Sequence, residues 1–485
     1  MGVYGYTKIL LYLRKNYIHM KPFYLFILFS MLLPGSTLAT HLMGGEITAL
    51  DLGSNFYRIE LVLYRDVTGK PMEDSVKIYF EGPNNTNFNT TVGYHKSIDG
   101  NLDPMYPQGT EVYFYVDTVN LLAIGSWNIY WSLCCRNGAI QNLGWAADKS
   151  MYLNTVFKTY SNSSNSSPQF LVPAAVHAPL DTFWLYNSLP YDPDGDSLFW
   201  HLDAPMDSIG SHINGYTSPP SDPSLPLTLD PLTGTLYWWP NTIGNFVTTI
   251  LVEEYRAGVL IGSIRRDVQF IVRPNVTGSF NLKVDTTLQV DGLGYFYKDI
   301  YKNDTCSIEL VLGHDDPTKV VWVGAYSEIF TLNTDYTSLN LSYVNGTNTI
   351  KAIFKWVPSN TSIREEPYKI VFRSSDWQFT QDFTILLYAK GALANEEFKI
   401  ARTKVYPNPA RTTINLELNK NQNIEITNIE VINLQGKSIK QVDVLNESLS
   451  NQISINIEAL QSGPYFLKIL FDNGKIDYRK ILIGN

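Results

Sequence analysis

The densest set of hard oxygen ligands in the sequence is Asp192-Pro193-Asp194-Gly195-Asp196, three carboxylates at i, i+2 and i+4 on one loop. Carboxylates so spaced can converge on a calcium ion, which takes oxygen ligands at about 2.3–2.6 Å. The run is not an EF-hand, because Gly195 comes two places early and Trp200 stands where a ligand is needed. A second reading of the same residues is a polar turn, in which Pro193 and Gly195 set the backbone and the aspartates cap amides.

Three cysteines occur, Cys134, Cys135 and Cys306, too few for a disulfide scaffold and odd in number. Adjacent Cys134 and Cys135 point to opposite faces of a strand, so a bond between them would require strain. As a nucleophile either would need a distant base such as His95 or His177. Only Arg136 stands nearby to lower a thiol pKa, which favours a structural role at a strand end. The seven histidines show no zinc-ligand spacing. No nucleophile elbow, metalloprotease helix, phosphate loop or dinucleotide fingerprint is present. Carboxylate pairs for glycoside cleavage have a spacing set only in three dimensions, and no local pattern argues for them. The expectation is a protein without catalytic activity. Trp238-Trp239 and the tyrosine-rich strands invite stacking on sugars, but rings of this kind are common in a sandwich core, which is the expected place for them.

The elements that would position these groups are strands. Tyr57, Ile59, Leu61 and Leu63 share one face, as do Val112, Phe114 and Val116, and Trp127, Ile129, Trp131 and Leu133. Such alternation marks strands with one buried and one wet face. It recurs at 308–312, 350–356, 414–418 and 453–457, and no helical period is sustained. Asn473-Gly474 between two alternating runs is a hairpin signal. Aromatic residues make up 13% of the 485 residues, a composition that fits strands. The fold class expected is all-β: tandem antiparallel sandwiches of immunoglobulin or cadherin type, with a small C-terminal sandwich.

Arg14, Lys15 and Lys21 precede an apolar run at 23–33, and Thr37-Leu38-Ala39 offers a cleavage site, so residues 1–39 read as a signal peptide. The run is too short to span a membrane, and no other stretch is long enough. A net charge of −9 without a basic run argues against nucleic acid. The blocks expected are 40–160, a polar joint at 161–167, then 168–275, 276–390, a linker at 391–402 and a last block at 403–485. Each of the first three is expected to fold by itself.

The last block resembles the C-terminal sorting domain of type IX secretion. Four pieces carry the likeness in order: Tyr406-Pro407-Asn408-Pro409, Asn433-Leu-Gln-Gly436, Leu460-Gln-Ser-Gly463-Pro-Tyr465 and Lys480-Ile-Leu-Ile483. The resemblance implies a Bacteroidetes protein that meets the type IX machinery, crosses the outer membrane, and is released or attached to surface polysaccharide. Thr40-His-Leu-Met-Gly-Gly-Glu-Ile-Thr48, Tyr64-Arg-Asp66 and Cys134-Cys-Arg-Asn-Gly-Ala-Ile-Gln-Asn-Leu143 resemble the N-terminal module of large surface proteins of that phylum. Its pattern has Cys where this chain has Val67. The 168–275 block is similar to cadherin-like domains of the dystroglycan type through Asp192–Leu198, Leu229–Leu236, Trp239-Pro240, Glu253-Glu-Tyr-Arg256 and Arg265-Arg-Asp267. The reading is a secreted or cell-surface adhesin or structural protein, with calcium its one expected cofactor. The alternatives are a carbohydrate-binding surface protein and a secreted hydrolase.

Overall fold

The computed structural model describes residues 41–485 apart from 175–176, 276–277, 292–293, 345–347, 392–403, 418–425, 434–436, 443–451, 473–475 and 484–485. The expected signal peptide, most of the 391–402 linker, Gly436 and the Asn473-Gly474 turn lie outside the described residues.

The first block consists of β1 (Leu42–Gly53), β2 (Phe56–Asp66), β3 (Ser75–Glu81), β4 (Asn87–Asp99), β5 (Thr110–Asn120), β6 (Gly125–Cys134) and β7 (Ser150–Thr159). They hydrogen-bond in the order β1-β2-β5-β4-β3-β6-β7. The inward faces enclose Ile47, Ile59, Leu61, Ile78, Phe80, Trp127, Ile129 and Leu153. These include the positions that the alternation in β2 and β6 assigns to the buried face.

The roll is closed by a strand of the next block. Val259–Arg273 pairs with β7 at Ser263↔Val156 and with β1 at Gly44↔Val268 and Gly45↔Asp267. Gly244–Arg256 and Ser197–Asp203 then extend the same 11-stranded sheet. At the crossing, Gly44 has φ +152°, and a Cβ there would lie 2.1 Å from the Asp267 carbonyl oxygen. Only glycine lets the two backbones approach this closely.

Two ion pairs lock the closure. Arg136 is fully buried and bidentate on Asp267, at 3.0 and 2.6 Å. Arg266 donates to Glu46 at 2.5 Å and to the Val172 carbonyl at 2.7 Å. Glu46 and Arg136 come from the first block, Arg266 and Asp267 from the second.

The polar joint at 161–167 differs from expectation. Asn165, Ser166 and Ser167 are buried. Ser167 donates its amide to the Ala49 carbonyl at 2.7 Å and accepts the Ala49 amide on Oγ at 2.9 Å. Small hydroxyl side chains satisfy the free edge of β1, so the segment serves as packing, not as a solvated tether. Blocks 40–160 and 168–275 therefore share one sheet and one core, in which Met43, Val62 and Tyr64 meet Trp184, Trp200, Trp238 and Phe246.

The third block is a sandwich of a four-stranded and a five-stranded sheet around Ile308, Leu310, Phe354, Trp356, Ile370 and Leu387. It too is tied to its predecessor. The Trp184 indole donates to the Thr380 carbonyl at 2.7 Å, and the Asn187 amide donates to Asp382 at 2.9 Å. Arg373 bonds both Asp382 and the Pro173 carbonyl. The described part of the last block packs a three-stranded on a four-stranded sheet around Ile414, Leu416, Val431, Ile455, Leu467 and Ile481. Its Tyr478 stacks on Phe199 at 4.8 Å.

Removing one partner of a buried ion pair leaves an uncompensated charge, at a cost of about 3–5 kcal/mol. Arg136→Met is expected to lower the stability of the mature chain by that order in chemical denaturation. The exposed Arg58→Met, whose partner Glu60 lies on the same strand, is expected to change it by less than about 1 kcal/mol.

Candidate metal centre and sorting tail

Of the three loop aspartates, Asp194 turns away from the other two. Asp192 Oδ1 accepts the amides of Asp194 and Asp196 at 2.9 and 3.0 Å, with Gly195 at φ +84° allowing the turn. This is the capping geometry of the turn reading. Asp194 faces the 161–167 segment, accepting the Ser164 hydroxyl and the Ser166 amide, each at 2.6 Å. Asp196 takes Arg256 on both oxygens, and Arg256 reaches on to the Ser164 carbonyl and Asn165 Oδ1.

The carboxylates that do converge are Asp192, Asp196 and Glu254, each offering one oxygen within 4.8 Å of the others. Glu254 lies on Gly244–Arg256, where Phe246, Ile250 and Val252 of the same alternating face enter the core. The phase of that strand carries Glu254 inward, to zero exposure. Neither of its oxygens receives a hydrogen bond from any donor, and Asp192 Oδ2 is likewise buried and unpartnered. Gly262 leaves the room, since a Cβ there would stand 2.4 Å from Glu254 Oε2 and 2.9 Å from the Val156 carbonyl oxygen.

Burial, with the charges of Asp196 and Asp194 adding to it, pushes the Asp192 carboxyl up to about 7. Burial and then the charges of Asp192 and Asp196 push Glu254 up to about 9. The donor set fits a hard cation: oxygens on opposite sides of a calcium ion lie about 4.6–5.2 Å apart. The loop spacing named Asp192, Asp194 and Asp196; two of them, Asp192 and Asp196, come together with Glu254, which the spacing missed although an acidic residue on the core-facing phase of a strand is a readable signal.

The cysteines also differ from expectation. Cys134 and Cys135 are bonded to each other, and Cys306 is a buried free thiol pushed up to about 11 by burial. β6 ends at Cys134, so Cys135 has left the strand, and the opposite-face rule does not apply to the pair. His177 places Nδ1 3.2 Å from the Gln378 carbonyl. Of the two tryptophans at 238–239, Trp238 is core and Trp239 is partly exposed.

In the last block, Asn408 staples the entry segment to the final strand. Its side-chain amide donates to the Lys480 carbonyl at 3.0 Å, and its Oδ1 accepts the Leu482 amide at 2.7 Å. Tyr406, Pro407, Pro409 and Lys480 stay exposed around this staple. Gly463, at φ +149°, opens the strand Gly463–Phe471, and Tyr465 packs on the core.

All described elements longer than single turns are strands, and the architecture is all-β with mostly antiparallel sheets; Phe296–Tyr301 pairs with Thr380–Lys390, and His177–Pro179 with Val259–Arg273, in parallel. Residues 404–484 match the family described as the secretion system C-terminal sorting domain. The chain thus carries a type IX sorting tail and is a secreted or cell-surface protein exported by that route. No curated protein matches the sequence. Among solved structures, a three-domain titin fragment (I67–I69, an E-to-A variant) is 13% identical, with 65% of this chain and 97% of that one covered and a TM-score of 0.17. The ICAM-5 D1–D4 ectodomain fragment is 10% identical, with 89% and 96% covered and a TM-score of 0.15. Among the described residues no helix is long and apolar enough to cross a membrane.

The raised carboxyls fix a sign for pH dependence. A group that holds its proton more tightly when folded stabilises the fold at low pH and loses that contribution as pH rises. Between the ordinary value of 4.5 and about 9, Glu254 loses its contribution, and Asp192 does so between 3.8 and about 7. In chelator, Tm is expected to fall from pH 5.5 to pH 9, and Glu254→Gln is expected to flatten that fall.

Proposed function

We propose that this is a non-enzymatic adhesin or structural surface protein of a Bacteroidetes cell, with the 168–275 block a cadherin-like module. The observation that carries the reading is the sorting tail joined to blocks of which the first two are fastened by buried ion pairs and the third by buried hydrogen bonds. A stack of sheets locked in this way can resist shear while presenting loops and strand faces. The cysteine arrangement supports a role without covalent catalysis, since Cys134 and Cys135 are joined and Cys306 is buried. The N-terminal signal of 1–39 belongs to the same reading, as the first of two export steps.

A carbohydrate-binding role has one observation in its favour. Trp145 is 85% exposed, and Phe183 stacks on Tyr237 at 6.1 Å on the outer side of the second block. Rings held open to solvent can stack on sugar faces. A surface polysaccharide would then be the partner.

Two experiments bear on this. Deleting residues 403–485 is expected to leave the protein in the periplasm; appearance of the truncated chain outside the cell at normal levels would contradict export through the tail. In the second, the purified mature chain is expected to bind cells or matrix without turning over peptides or glycans. Trp145→Ala would leave adhesion unchanged under the structural reading and abolish glycan binding under the other.

A further inference from the structure

We propose that Asp192, Asp196 and Glu254 form a calcium-binding site, distinct from the Asp192–Asp194–Asp196 set that the loop spacing suggests. The proposal rests on this geometry and is independent of the surface role. Three observations carry it. First, the three carboxylates offer oxygens within 4.8 Å of one another from two separate elements, the turn after Tyr191 and the strand Gly244–Arg256. Second, both Glu254 oxygens and Asp192 Oδ2 are buried and receive no hydrogen bond. Unpartnered buried carboxylate oxygens are costly unless a cation or a proton meets them. Third, Gly262 keeps open the space that any Cβ would take from the Glu254 carboxylate.

The charge balance suits a divalent ion. Three ionised carboxylates beside the Arg256 guanidinium leave a net charge of −2. Arg256 makes one contact to Asp196 Oδ1 and two to Oδ2, which leaves a further lone-pair direction free on Oδ1. Calcium, with its irregular and flexible coordination, fits an oxygen cage with these separations better than magnesium, which demands a tight octahedron. The site also has a mechanical consequence. Asp194 and Arg256 hold Ser164, Asn165 and Ser166, so a cation that fixes Asp192, Asp196 and Glu254 also fixes the segment joining the first two blocks.

The test uses the full mature chain, stripped with chelator and titrated with calcium chloride while Tm is followed. Binding to the folded state alone raises Tm with added ligand. A saturable rise is expected in the parent and in Asp194→Asn, no rise in Glu254→Gln, and a much smaller one with magnesium at equal concentration. No rise in the parent would overturn the proposal. So would a response that survives in Glu254→Gln and is lost in Asp194→Asn. If Glu254→Gln fails to fold, hydrogen exchange on the parent decides the matter. Calcium should protect peptides spanning 190–197 and 250–258 together, and protection confined to other regions would sink the assignment.

Discussion

Arg266 and Asp267 are neighbours on one strand, and therefore point to opposite faces of the sheet. Arg266 meets Glu46 on one side, and Asp267 meets Arg136 on the other. A slip of one residue would bring Arg266 to Arg136 in one direction, or Asp267 to Glu46 in the other, placing like charges together in a buried seam. Register is thus specified by charge as well as by apolar pattern. The net energy of such pairs is small once desolvation is counted, but the penalty for mispairing is large. With the register fixed, Val259–Arg273 can close the first block, pair with Gly244–Arg256 and carry Gly262 to its place beside Glu254.

The acidic cluster depends on that closure. Glu254 sits one strand in from the seam, while Asp194 and Arg256 reach back to the segment that satisfies the edge of β1. The turn, the joint and the edge of β1 are one hydrogen-bonded network. Across the next boundary a related device is used: Arg373 and Asp382 of the third block pair with each other and hydrogen-bond backbone groups of the second. The tail is built differently. Its entry is held to its own last strand by Asn408, and an apolar stack of Phe199 on Tyr478 meets the second block. A tail that keeps its own core and presents Tyr406, Pro407 and Lys480 outward suits a segment recognised by separate machinery.

Much of this was legible in the sequence, because alternation is local. Trp127, Ile129 and Trp131, or Ile350, Ala352, Phe354 and Trp356, show their buried face without any knowledge of their partners. The sorting tail was legible for a similar reason, as its motif pieces mark turns and strand starts. What stayed hidden depends on pairing between distant residues. Nothing local to Ser164–Ser167 says that β1 needs its hydroxyls, and a serine-rich stretch looks the same whether solvated or packed. The spacing of Asp192, Asp194 and Asp196 describes a turn but not the direction of each side chain; Asp194 left for the joint, and Glu254 arrived from a strand some sixty residues away. Glu46, Arg136, Arg266 and Asp267 each lay in a motif noted for other reasons, and only the folded chain makes them partners.

The central claim is that the first two blocks form one cooperative unit. Differential scanning calorimetry of the mature chain, run beside a variant carrying both Arg136→Met and Arg266→Met, tests it most directly. The account predicts that residues 40–275 melt in a single transition in the parent, and that the double variant moves this whole transition to lower temperature. Two separate transitions in the parent, one for 40–160 and one for 168–275, with only one of them shifted by the substitutions, would contradict it.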